Sequence, residues 1–355
     1  VYVFDGSLTI NGGTFDIKQL SGQDDHRFTI NCYDSSYKNG TAQVSINGGT
    51  FNGFDPANNL AEGTGTIFTA PGYTTVANAD GTYSVAAGVA QVAGKAFTSL
   101  QAAIDAAQDG ETVTLLTDAT EDVAISKSIT LDLGSKTLTN TNAGKATISV
   151  QGGTVTVKNG NVTGGTSYYN IEVTKGSNAN LTLADVTATA GNTGSSMIDN
   201  WGTLTIESGT YTGGLNVVKS EEGSKLTITG GTFTLDYATS PNTGVILVYG
   251  DTTISGGEFI QSLTTTGRWN HPQVVVTGVV EGYTAITRVT GGHFVNKMSG
   301  EGIFRGIGKG TSDNFEVSGG TFNKSISEGF CADGFIPTKN ADGTYGVKEG
   351  SYVAE

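Results

Sequence analysis

The run Gln23-Asp24-Asp25-His26 is the part of this sequence that most resembles acid–base machinery. Paired carboxylates at a fixed separation cleave glycosidic bonds, one protonating the leaving oxygen while the other activates water or attacks the sugar. Here the pair stands in a polar insertion, which reads as a solvated loop, and no catalytic residue is assigned. A second group could bind rather than react. Trp201, Trp269, Tyr168 and Tyr169 offer rings that stack on sugars, and His271 follows Trp269 in the polar run TTTGRWNHPQ. Binding residues concentrate on loops held by a scaffold, so these five residues are the ligand-binding candidates and the insertion 262–287 the candidate recognition surface. The turns Asn78-Ala79-Asp80-Gly81 and Asn340-Ala341-Asp342-Gly343 lack the alternating acidic residues of a calcium loop and read as hairpin turns. Two cysteines and three scattered histidines cannot build a zinc site, so no metal or cofactor is expected. Cys32 and Cys331 stand too far apart along the expected stack for a disulfide.

The elements that must carry these residues are set by one phrase. LTITGGTF (226–233) recurs as LTINGGTF (8–15), VSINGGTF (44–51), LTIESGTY (204–211), TTISGGEF (252–259), RVTGGHF (288–294) and FEVSGGTF (315–322). Looser copies are ITLDLGSKTL (129–138), VTVKNGNV (155–162) and LTLADV (181–186). Taking the second glycine or its equivalent as a mark, successive copies from 134 to 320 are separated by 22 to 35 residues. A repeat in this range means stacked units, none of which buries its own apolar face alone. Unequal steps suit a coiled sheet, where extra residues bulge at a turn while the strand below still pairs with the strand above.

Within a phrase, Leu226 and Ile228 alternate with Thr227 and Thr229, the period of a half-buried strand, and the glycine pair turns the chain through positive φ. One phrase is two short strands around a corner. Parallel stacking then puts Phe15, Phe51, Tyr211, Phe233, Phe259, Phe294 and Phe322 in one interior column at about the strand separation of ~4.8 Å. Thr156, Thr182, Thr205, Thr227 and Thr253 face outward in a second column that Arg288 and Glu316 continue. A single threonine column does not make the doubled array of an ice-binding solenoid, because Lys158, Ala184 and Glu207 interrupt its neighbour.

Composition agrees with a turn-rich β structure: 53 glycines, 5 prolines and 36% hydrophobic residues among 355. A net charge of −14 without any Lys/Arg run argues against nucleic-acid partners and anionic membranes, and no stretch is long and apolar enough for a membrane span. The chain opens in strand-like sequence, as a fragment would.

In order, residues 1–70 read as the last rungs of a first β-helix module and 71–94 as a hairpin connector. Residues 95–330 read as a second module of roughly nine rungs, and 331–355 as a terminal hairpin with the start of the next linker. FTSLQAAIDAAQDG predicts a capping helix over 97–109, with Thr98 and Gln101 as capping box, a stripe of Leu100, Ala103, Ile104 and Ala107, and a stop at Gly110. Its position before the first rung suits a lid over an otherwise open sheet end.

Read together, FTSLQAAIDAAQDGETVTLLTDATEDVAISKSITLDLGSKTL, the GGTF phrases and the two NADGTY hairpins resemble the modular right-handed parallel β-helix surface proteins of gut bacteria and their phages, within the pectin-lyase-like superfamily. The resemblance covers nearly the whole chain. It implies an all-β right-handed parallel β-helix, a solenoid with one short capping helix and hairpin connectors between tandem modules. It also implies an extracellular, cell-surface or virion-exposed repeat protein. Pectin-hydrolysing members carry Asn-Thr-Asp, His-Gly and Arg-Ile-Lys motifs on neighbouring rungs, all absent here, and lyases of this fold need a calcium cage with an Arg or Lys base. The expectation is a non-enzymatic rod, an adhesin or stalk displaying loops that bind a glycan or a host or bacterial surface, with adjacent modules as its partners. The rivals are a phage virion or tailspike component and a polysaccharide lyase or glycoside hydrolase. The last would show an outward groove with three or more carboxylates and a basic residue on adjacent rungs.

Overall fold

Gly-Gly corners decide where the chain bends, and the two glycines do so for different reasons. In the computed structural model, which describes residues 1–17, 28–164, 168–237, 243–265 and 271–350, only the second glycine of each corner has positive φ: +119° at Gly209, +99° at Gly231, +103° at Gly257, +102° at Gly292 and +101° at Gly320. The first has ordinary φ but no room. A Cβ on Gly256 would lie 2.2 Å from the carbonyl oxygen of Thr229 one rung away, and one on Gly319 2.1 Å from that of Thr290. The expectation that both glycines serve positive φ is thus corrected for the first of each pair. Earlier corners use Asn159 (φ 58°) and Asp185 (φ 53°), residue types that tolerate this region.

The chain forms two compact units, residues 1–107 with 113–117, and 108–112 with 118–355. In the first, Gly6–Phe15 pairs in parallel with Ala42–Asn52, and Phe15 stacks on Phe51 with centroids 4.8 Å apart. The core holds Ile10, Ile30, Cys32, Ile46, Phe51, Phe54 and Phe68. The hairpin Tyr73–Ala77 and Thr82–Ala87 joins this sheet antiparallel, Tyr83 opposite Phe51. The helix runs Leu100–Ala106, shorter than 97–109. Its cap is Ser99, whose side chain accepts from the Ala102 N–H, rather than Thr98, and it ends at Ala107 in extended geometry, before Gly110. The stripe Leu100, Ala103, Ile104 and Ala107 is buried as expected. A further one-turn helix, Asp34–Lys38, lies beyond the sequence expectation.

The second unit is a parallel β-solenoid in which eight rungs carry the phrase, from Thr130–Asp132 to Phe315–Val317 on the first limb of each corner. On the second limb the inward column reads Leu138, Val162, Ala188, Tyr211, Phe233, Phe259, Phe294, Phe322. From Tyr211 to Phe294 the rings stack at 5.0, 4.9 and 4.8 Å with interplanar angles of 11° or less, and Phe322 follows at 5.4 Å and 31°. All are fully buried. Stacked aromatics of this area dominate core energetics.

Each rung also has a third limb that the phrase does not reveal. Val123–Ile125, Ile148–Val150, Ile171–Val173, Ile198–Asn200, Val218–Ser220, Gly244–Val248, Gln273–Val279 and Phe304–Gly308 form an eight-stranded, all-parallel sheet. The last phrase is closed by the hairpin Phe335–Lys339 and Tyr345–Glu349, with Tyr345 opposite Phe322. An antiparallel hairpin laid on a phrase strand occupies an edge that would otherwise be open. Both hairpin turns have one chemistry: Asp80 accepts from the N–H and hydroxyl of Thr82, Asp342 from those of Thr344. These bonds hold both carboxyls below the usual range.

Candidate functional site

Three outward faces follow from this winding. The first limb carries the threonine column, which begins one rung earlier than expected, at Thr130, and runs in register through Thr156, Thr182, Thr205, Thr227 and Thr253. Arg288 and Glu316 continue it as an ion pair of 2.9 Å. The second limb carries two such columns, Thr137, Asn161, Thr187, Thr210, Thr232 and Thr139, Thr163, Thr189, Thr212, Thr234. The doubling missing from the first limb is therefore present around the corner. A hollow of about 600 Å³ at the corner of these limbs is lined by Asp132, Asp185, Asn161 and Thr187, and one of about 900 Å³ at the end of the column by Glu316, Asp313, Glu328 and Asp333; both are acidic and, among the described residues, neither lining holds a cation or a stacked ring pair.

The third limb is different. Its outward column reads Ala124, Ser149, Glu172, Asp199, Lys219, Leu247, Val276, Arg305. The two residues flanking each of these point inward, as the pleat requires. Lys219 is ion-paired with Glu221 on its own strand's exit. Asp199 is 1% exposed and its Oδ2 accepts from the Trp201 indole N–H at 2.8 Å, while Oδ1 has no hydrogen-bond partner among the described residues. Beyond Lys219 the column turns apolar: Leu247, Val276 and Ile307 cluster with Tyr249 packed against them. A cavity of about 350 Å³ opens over this junction, lined by Tyr169, Ser195, Asn216, Lys219, Thr243 and Tyr249 among others. Among the described residues Lys219 is the one charged side chain in that lining, with its ammonium 5.9 Å from the Tyr249 ring centroid.

The electrostatics follow from burial. Asp199 is pushed far above the usual carboxylate range first by desolvation and then by the Glu221 charge, against the opposing pull of Lys219 and the Trp201 bond. Burial raises Glu172 as well, with a Ser149 bond opposing it. For Lys219 burial works against the charged form, but the bond and charge of Glu221 outweigh it and its ammonium is held above the ordinary value. Tyr169 is raised by burial and by Asp199.

Three of the five candidate residues meet here. Tyr169 lines the cavity, Tyr168 packs on it at 4.5 Å, and Trp201 anchors Asp199 while Lys175 covers its ring at 3.9 Å. That cation occupies a ring face a sugar would use, so Trp201 serves as a hydrogen-bond donor in this geometry. His271 is elsewhere, bonded through Nδ1 to Glu301 at 2.6 Å. Trp269, Asp24 and Asp25 lie outside the described residues. Among the described residues no cluster could hold a metal ion, and Cys32 and Cys331 are free thiols, Cys32 raised to about 11 by burial and by Glu62.

Sequence reasoning missed Glu172, Asp199, Lys219 and Glu221. The signal for the first three is the triplet Ile171-Glu172-Val173, Ile198-Asp199-Asn200, Val218-Lys219-Ser220: one charge between inward residues on three consecutive rungs. Compared with known proteins, the chain matches no protein family, no curated protein and no solved structure.

Proposed function

We propose that this chain is a non-enzymatic extracellular repeat protein, an adhesin or stalk, that binds carbohydrate at the outer face of its third limb. The observation that carries the reading is the cavity between Tyr169 and Tyr249. Hydroxyls and an amide line it, two rings flank it, and it sits on strands locked in register. Sugar sites combine such apolar ring faces with a few convergent polar groups. Three carboxyls around a single half-buried ammonium leave the face acidic, which suits a neutral sugar better than a uronate. The extracellular or cell-surface location, and a right-handed β-helix of the pectin-lyase-like kind, are parts of the same proposal, supported by the repeat chemistry. A glycan array with the purified chain tests it. Selective binding that is lost in Tyr169→Ala and Tyr249→Ala supports the reading, and an array without any hit ends it.

One observation favours a second reading, a glycoside hydrolase or lyase. Glu172, Asp199 and Glu221 with Lys219 on adjacent rungs are the grouping of three carboxyls and a basic side chain looked for in such an enzyme, and glycoside cleavage uses a pair of such carboxyls. Assays for new reducing ends and for unsaturated products on neutral and acidic polysaccharides decide between the two.

A further inference from the structure

Two buried carboxyls that can bond only through a proton flank Lys219, the cation among the described lining of the cavity: Asp199 in register on the preceding rung and Glu221 at the exit of its own strand. Asp199 is 1% exposed and Glu221 5%. Asp199 Oδ2 is satisfied by Trp201, whereas Oδ1 has no donor among the described residues. Glu221 is within hydrogen-bonding reach of Asp199, and two carboxylate oxygens cannot bond unless one bears hydrogen. A buried acceptor without a donor is costly. A proton on Asp199 removes that cost, because Oδ1–H then donates to Glu221, and it removes the like-charge contact as well.

The groups around Asp199 are few. In the column, Glu172 precedes it and Lys219 follows it on the next rung. Glu221 faces it from the end of the Lys219 strand, and Tyr168 and Tyr169 face it from the loop before Glu172. Beyond Trp201 stand Lys175 and Glu222, paired at 3.7 Å. Lys219 is the only cation in direct register with Asp199.

We infer that the proton shared by Asp199 and Glu221 gates the Tyr169–Tyr249 cavity, holding it open to a sugar in acid and weakening binding as the proton is lost. With Asp199 neutral, Lys219 belongs to Glu221 and lines the cavity near Tyr249, the geometry described above. When Asp199 ionises, two buried carboxylates compete for one ammonium. Lys219 is drawn toward Asp199, away from Tyr249, and the net charge of Glu172, Asp199, Lys219 and Glu221 changes from −1 to −2. The proton leaves to solvent and no bond other than O–H breaks. The raised affinity of Asp199 for its proton sets the gate within reach of neutral pH, at about 7.

The proposal rests on the carbohydrate reading for its ligand but not for its switch, so its test has two arms. Trp201 reports the switch directly, since its indole N–H is bonded to Asp199 and the chain's other tryptophan is removed by Trp269→Phe. Its emission is expected to titrate through one midpoint near pH 7, to lose the transition in Asp199→Asn, and to shift to lower pH in Glu221→Gln, where the repelling charge is gone. The second arm measures binding of the strongest array glycan on both sides of that midpoint. Affinity is expected to fall up to tenfold per pH unit above it, the limit for one linked proton, and to be independent of pH in Asp199→Asn. A flat tryptophan titration, one unaltered by both substitutions, or glycan binding that ignores the midpoint overturns the gate and leaves the carbohydrate reading standing. A titration as expected with no glycan bound by any variant leaves a proton switch on a face that does not bind sugar, and overturns the gating of that ligand.

Discussion

The second and third limbs of one rung lie in two separate sheets that enclose one core, and they differ most on their outward faces. Thr210 and Thr212 flank Tyr211 on the second limb and present hydroxyls and methyls in register with threonines above and below. Eight residues on, Lys219 stands between the inward Val218 and Ser220, bound to Glu221 and facing a cavity. Both limbs bury their inward residues completely, so backbone pairing and core packing do not distinguish them. Where the pleat merely needs a residue that suits an exposed strand, threonine fills the column. Where carboxyls are buried on the outside of a sheet, as Asp199 and Glu221 are, they cost stability unless paired or protonated.

This contrast can be broken at four places. The largest effect is expected inside the wall that both limbs share: Phe259→Ala removes a ring sandwiched between Phe233 and Phe294 and is expected to cost about 3–5 kcal/mol, read from urea unfolding. Lys219→Met strips the counter-charge from two buried carboxyls. A loss of about 2–3 kcal/mol is expected at pH 8 and a visibly smaller one at pH 5, where Asp199 carries its own proton.

Asp199→Asn sharpens the comparison through its sign. A carboxyl whose folded pKa lies above its unfolded value stabilises the fold most at low pH, and that contribution disappears as pH rises through the folded value. Thermal melts of the wild type are therefore expected to fall between pH 4.5 and 8 more steeply than those of the variant, which is the more stable of the two at pH 8. Equal slopes would remove the argument for a buried proton. Smallest of all, Thr210→Ala on the second limb is expected to change stability by less than about 0.5 kcal/mol at any pH. A larger loss there would show that the threonine columns do more than fill an exposed strand.

Much of the fold was legible because its signals are local. Alternation around Leu226 and Ile228, a glycine pair and a ring two residues later repeat often enough to impose a corner, and the aromatic column follows from register alone. The hairpins were legible from Asp-Gly. The third limb was not, because Ile171-Glu172-Val173 or Val218-Lys219-Ser220 is too short to show a period and has no glycine to mark it. The site was lost with it. Tyr168, Tyr169 and Trp201 stood out as rings, but what holds Trp201 is Asp199, a charged residue in a triplet too short for its burial to be read from the sequence. The helix cap was misplaced by one residue because Thr98 and Ser99 are both competent caps, and only backbone geometry chooses Ser99.

The corner glycines have a consequence for how such a chain can change its length. Because the nearest atoms to a Cβ on Gly256 belong to Thr229 and Gly230 one rung away, and those to a Cβ on Gly319 to Thr290, each bend makes its closest approach with the neighbouring turn. Cutting the gene at two equivalent bends would therefore excise or duplicate a whole turn without leaving a mismatched joint. Recombination could then add or subtract reach in steps of one strand separation, ~4.8 Å, while leaving the charged patch on its own turns untouched.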